Sequence, residues 1–193
     1  MKPIFTIHAG EFLVACEIER LFRDLNVWIP TKDTGIDLLI SNSDNTAAVS
    51  LQVKFSRDFL VTNLKKEVFL NGLRACGWWT PTREQIEKSR AQYWVFVLVG
   101  FANRTTDFII IKPGDLLERL NHIHGKSVTK FHTYFWVTKQ RKCFETRNLN
   151  RSDQMLVAKN EFQGEDRDFT VYLNDWKAIT ALDKNAIDVN RAG

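Results

Sequence analysis

No apolar run in this 193-residue chain approaches the roughly 20 residues that cross a bilayer, so no membrane-spanning helix is expected. The N-terminal MKPIFTIHAGEF has neither the apolar stretch nor the small-residue cleavage site of a signal peptide, and an intracellular, cytoplasmic protein is expected. Cysteine is scarce: Cys16, Cys76 and Cys143 are odd in number and widely separated, which suits neither a disulfide framework nor a zinc knuckle. They read as reduced, space-filling residues. GxGxxG, GxxxxGK[ST], GxSxG and HExxH are all missing, which argues against dinucleotide, P-loop, serine-hydrolase and zincin chemistry. His122 and His124, two apart near a helix end, cannot share a helical face, and no Cys or acid pair stands at ligand spacing beside them, so they give no zinc reading. Repeats and low-complexity segments are absent too.

What is present suffices for a core. Hydrophobic residues make up 44% of the chain and aromatics 12%, as expected of one folded domain of ordinary size. The net charge of +4 is unevenly spread. Lys126, Lys130, Lys139, Arg141, Lys142, Arg147 and Arg151 stand against the single acid Glu145, so residues 126–151 carry +6 and the remainder is slightly acidic. Such a segment is what a phosphate backbone attracts, although a solvated face has the same composition.

GEFLVACEIERLFRDLN, residues 10–26, predicts a first helix in which Val14, Ala15, Ile18, Leu21, Phe22 and Leu25 share an arc of about 120°. Glu11 falls inside that apolar arc. A carboxylate in a first turn suits the helix dipole, but burying it beside a core is costly without a partner, so Glu11 is read as belonging to a polar pocket. GIDLLIS and AAVSLQVKF read as two strands joined by the polar turn SNSDNT. Alternation sets Val49, Leu51, Val53 and Phe55 on one face of the second strand and Ser50, Gln52 and Lys54 on the other, with Gln52 and Lys54 about 7 Å apart. If the strands pair, Asp37, Gln52 and Lys54 share one pocket.

Farther along, residues 56–82 have mixed periodicity and give no assignment. Residues 83–92 read as a helix, 93–101 and 107–112 as neighbouring strands, and 113–125 as a helix bracketed by Pro113 and Gly125. Residues 130–139 read as extended, 140–168 as loop-rich, 169–173 as a last strand, 174–182 as a last helix and 183–193 as a frayed tail. Trp78 and Trp79 could stack on bases, with core packing the favoured reading. The order indicates an α/β fold around a mixed sheet.

Asp37 and the Gln52 amide oxygen, with a backbone carbonyl near Val53 and waters, suit a hard cation such as Mg2+, and Lys54 would lie beside it. Glu11 on a first helix, Gly35-Ile36-Asp37 on one strand and Gln52-Val53-Lys54 on the next, followed by a helix and an apolar strand, resembles the PD-(D/E)xK superfamily of restriction-endonuclease-like nucleases. The resemblance covers roughly residues 8–101. It implies an αβββαβ core over about residues 8–112 with a C-terminal elaboration over about 113–193. It also implies Mg2+ (or Mn2+)-dependent hydrolysis of DNA phosphodiesters, with Glu11, Asp37 and Gln52 at the metal and Lys54 in catalysis. Ile36 stands where the family has Pro, and Gln52 where it has a carboxylate, as in its QxK variants. The expected partner is nucleic acid, double-stranded DNA first, held by Lys126, Lys130, Lys139, Arg141, Lys142 and Arg147. A homodimer is the assembly that double-strand cutting often uses. The neutral Gln52 leaves open a second reading: a nuclease fold that binds DNA or a partner without cutting, or a subunit of a larger defence or repair assembly.

Overall fold

The computed structural model describes residues 9–32, 34–56, 58, 67–100 and 103–183. Its first helix, α1 (Ala9–Leu21), buries Val14 and Ile18 along the expected stripe, and the chain leaves it at Phe22, short of residue 26. β1 (Asn26–Trp28), β2 (Leu38–Ser41) and β3 (Ala48–Ser56) follow as an antiparallel meander. The turn between β2 and β3 is tied by side chains: the Ala47 amide donates to Asn42 Oδ1 at 3.0 Å, and Thr46 Oγ1 to Asp44 Oδ1 at 2.7 Å.

β5 (Tyr93–Gly100) then joins β3 in parallel, and β6 (Thr105–Ile111) joins β5 antiparallel, giving a mixed five-stranded sheet in the order β1-β2-β3-β5-β6. Between β3 and β5 lie α2 (Glu67–Gly72), β4 (Leu73–Trp79) and α3 (Arg83–Glu87). β4 leaves the first sheet and pairs with β7 (Thr133–Thr138), which pairs with β8 (Cys143–Glu145) in a second, three-stranded sheet. A strand from inside the expected core span thus builds its sheet with strands of the expected elaboration. α4 (Pro113–His124), α5 (Arg151–Ala158) and α6 (Lys177–Thr180) complete the helices described. Gly125, at φ 98°, ends α4 where a side chain would be strained.

The result is a layered α/β fold, its mixed sheet flanked by helices. α1 and α6 cover one face of the large sheet, packing Val14, Ile18 and Ile179 on Leu51, Val95 and Val97. The other face meets the second sheet and α4 through Trp94, Phe96, Ala75, Phe135, Leu116 and Leu120. α2 and α5 close the far side of the second sheet over Cys76, Trp136 and Phe144. An ion pair bridges the two sheets: Arg74 Nε lies 2.7 Å from Oδ2 of Asp107, which is 1% exposed, while Asn174 Nδ2 donates to Oδ1 at 3.2 Å.

Several expectations need correction. β4 escaped notice because, packed on both faces, its sequence LRACGWW has no alternation to read. Residues 140–168 hold β8 and α5 rather than loop alone, and residues 83–92 are helical only to Glu87. FTVYL is not a strand. Asp168 Oδ1 accepts the Thr170 amide at 2.7 Å and starts a 3-10 turn over Thr170–Tyr172, after which Leu173 makes one bridge to Ile109. The tail from residue 184 onward lies outside the described residues, as do residues 1–8. Among the described residues no helix is long and apolar enough to cross a membrane.

Candidate functional site

The β2–β3 ladder has its last regular pair at Leu38 and Leu51, and from Leu51 onward β3 runs beside β5 on its other edge. The Asp37 amide donates to Leu51 O at 2.8 Å, and the Asp37 carboxylate accepts the Val53 amide through Oδ2 at 2.8 Å. A side chain therefore replaces the backbone carbonyl of β2 as acceptor for β3. This fixes the Asp37 carboxylate beside the peptide that separates Gln52 from Lys54.

Alternation along β3 holds as expected. Leu51 and Val53 join the cluster under α1, and Gln52 and Lys54 turn to the other face, where β5 sets Trp94 and Phe96 alongside them. Lys54 Nζ lies 4.8 Å from the centre of the Trp94 ring, a cation–π contact that holds the ammonium over the indole. The Trp94 indole N–H donates in turn to Ser89 Oγ at 2.8 Å. Gln52 and Lys54 line an open pocket of about 340 Å³ with Thr34 and Gly35 on one side and Glu84, Lys88, Ser89 and Arg90 on the other.

The α3 wall of this pocket was not foreseen from sequence. Thr82 starts the helix as half of a capping box: its hydroxyl accepts the Gln85 amide at 3.1 Å while Gln85 Oε1 accepts the Thr82 amide at 2.9 Å. Lys88 Nζ donates to Glu84 Oε1 at 2.7 Å, which holds the Glu84 carboxyl below its usual range and raises the Lys88 ammonium. The capping signal T-x-x-Q was legible; its position beside Lys54 depends on the parallel pairing of β3 and β5.

Glu11 is buried, 4% exposed, as its place in the apolar arc required. Its helix lies on the other side of the strands, however. A Cβ on the neighbouring Gly10 would lie 2.7 Å from Phe55 Cβ and 3.2 Å from Val53 Cγ1, so α1 packs on the face opposite Gln52 and Lys54. The structure thus brings Gln52 and Lys54 into one pocket lining, holds the Asp37 carboxylate on the intervening Val53 amide rather than in that lining, and buries Glu11 on the helix that packs on the opposite face.

All seven basic residues of the 126–151 segment are exposed, but the β7–β8 hairpin divides them. Lys126, Lys130 and Arg147 gather at the end where Lys130 bridges to Thr82, whereas Lys139, Arg141 and Lys142 form the opposite turn, about 17 Å of strand away. Arg151 is over the Phe69 ring at 4.3 Å. His122 is exposed with Nε2 3.3 Å from Asp166 Oδ2, and His124 is buried with Nε2 3.6 Å from Glu145 Oε2. A second pocket of about 340 Å³ is lined by Asp115, Glu118, Arg119, His122, Asp166 and Tyr172. Its Arg119 is engaged with the carbonyls of Glu165, Asp166 and Asp168, and the three acids would repel a phosphate.

Mg2+ keeps several waters and binds through one or two carboxylates together with substrate phosphate oxygens. Asp37, whose carboxylate is held on the Val53 amide, and the Gln52 amide in the pocket lining are the oxygen donors at this edge. Among the described residues no group of three or more His, Cys, Asp or Glu side chains is arranged to hold a metal. Comparison with family models, curated proteins and solved structures finds no match to the chain.

Proposed function

We propose that this protein is a metal-dependent endonuclease that hydrolyses DNA phosphodiester bonds at the Asp37–Gln52–Lys54 edge and works inside the cell. The observation that carries the reading is the Asp37 carboxylate fixed at 2.8 Å on the amide of Val53, the residue between the two whose side chains face the pocket. Mg2+ or Mn2+, held by Asp37 and Gln52, would supply charge neutralisation at the phosphate and a more acidic water. Lys54, held over Trp94, places a cation where negative charge develops on the phosphoryl oxygens. Arg90 at the rim takes a neighbouring phosphate, and Lys130 and Arg147 hold the backbone farther out. Glu11 acts through its charge from beneath the strand.

The neutral Gln52 favours a second reading, in which the same pocket grips a phosphate backbone without cutting it. Lys54, Lys88 and Arg90 outnumber the pocket's one lining acid, Glu84, which suits an anion even with no metal present. Supercoiled plasmid incubated with Mg2+ or Mn2+ separates the two readings. The first predicts metal-dependent nicking or linearisation by the wild type and none by Asp37→Ala. The second predicts a shift of the plasmid in a gel at low salt with no cleavage under either metal. Cutting that persists unchanged in Asp37→Ala would sink the site assignment.

A further inference from the structure

The paired tryptophans, alike in sequence, have different surroundings. Trp79 is 7% exposed and packs edge-on against Phe96 at 5.1 Å, a core residue. Trp78, next to it in β4, points to the opposite face and is 42% exposed. The exposed His132 lies beside it with ring centres 6.2 Å apart and planes within 21° of parallel. Two flat rings stacked in this way at a surface have the geometry that a third flat ring extends.

This corner belongs to the proposed site. The Trp78 amide donates to Ser56 Oγ at 3.0 Å, and Ser56 follows Lys54 by two residues on the same face of β3, about 7 Å along the strand. The exposed charges on either side are basic, while the nearby acids Asp58 and Glu145 are buried. Lys130 is two residues from His132. Arg147 follows Thr146, whose hydroxyl donates at 2.9 Å to the carbonyl of Tyr134, the residue paired with Trp78. An aromatic platform flanked by exposed cations and adjoining a cationic pocket matches a chain of flat bases on a phosphate backbone. Bases within a duplex keep their faces covered, so the platform selects an unpaired one.

We infer that Trp78 and His132 form a stacking platform for an unpaired base, so that the preferred substrate is single-stranded DNA or DNA with an unpaired segment beside the scissile phosphate. This rests on the nucleic-acid reading above and narrows its substrate. The test is fluorescence anisotropy with a labelled 20-nucleotide oligo(dT) and a labelled 20-base-pair duplex, both in EDTA so that nothing is cut. Wild type is expected to bind the single strand. Trp78→Ala should weaken that binding about tenfold or more and His132→Ala a few-fold, with duplex binding unchanged within twofold and Trp78→Phe close to wild type. Thermal melts establish that each variant is folded; His132 lies outside the strands and carries the comparison should Trp78→Ala fail to fold. Equal losses on both DNAs, or no loss on the single strand, overturn the inference. A wild type that binds duplex alone, or that binds neither DNA, overturns it and leaves the proposed function to the metal-dependent plasmid assay.

Discussion

Two constellations in this molecule have the same ingredients, an acid, an amide and a base, and differ in what encloses them. Asp107 meets Arg74 at 2.7 Å and Asn174 at 3.2 Å between the two sheets, and both of its oxygens are engaged by side chains of the protein. Asp37, Gln52 and Lys54 gather at a strand edge, where Gln52 and Lys54 line an open pocket and Lys54 is over an aromatic face. Residue type alone does not distinguish them; enclosure does. A buried pair with each partner engaged joins two layers, whereas polar side chains directed into an open recess can meet a ligand.

The sharpest way to break the comparison is to unpair the closed constellation. Arg74→Ala leaves Asp107 buried with an uncompensated charge and is expected to cost about 3–5 kcal/mol, read by urea unfolding. Thiol labelling gives an independent readout. Burial pushes the Cys76 and Cys143 thiols well above their ordinary range, so native protein should react through the exposed Cys16 alone, with the other two becoming labelled in Arg74→Ala. A wild-type unfolding curve for Arg74→Ala would show that the inter-sheet pair joins nothing.

Asp37 belongs partly to both kinds. Because its carboxylate replaces a ladder carbonyl, Asp37→Ala should lose about 1–3 kcal/mol of stability as well as activity, and Asp37→Asn, which keeps an acceptor oxygen, should recover most of the stability without the activity. Equal stability in all three proteins would remove the strand-clamping role.

The smallest effect concerns the divided basic segment. Lys130→Ala and Arg147→Ala should each lower the slope of log K against log salt by about 0.7 on single-stranded DNA and about 0.9 on duplex, while Lys139→Ala and Arg141→Ala, at the far turn, should leave it unchanged. A uniform response along the segment would mean that DNA runs the length of the β7–β8 hairpin.

Much of this was legible in the sequence for local reasons. Strict alternation revealed β3 and its polar face, an unbroken apolar run revealed β5, and Pro113 with Gly125 bracketed α4. Glu11 betrayed its burial by standing in an apolar arc, but a helical wheel does not say which face of a sheet the helix will cover, and α1 covers the face away from Lys54. The signals that failed were nonlocal. β4 is apolar on both sides because it lies between layers, and FTVYL becomes a turn because Asp168 captures the Thr170 amide. The basic stretch read as one patch until a hairpin folded it in two. The α3 wall of the pocket, with Glu84, Lys88 and Arg90, reaches Lys54 only through the parallel crossover from β3 to β5.

The central claim is that Lys54 serves the pocket and not the fold, and the cleavage rate of Lys54→Ala on plasmid DNA with Mn2+, measured on protein whose melting curve is known, tests it most directly. The account predicts a loss of stability of no more than about 2 kcal/mol, the order of a partly desolvated cation–π contact, with cleavage slowed by about 10²–10³-fold. A folded Lys54→Ala that cuts at the wild-type rate would contradict it.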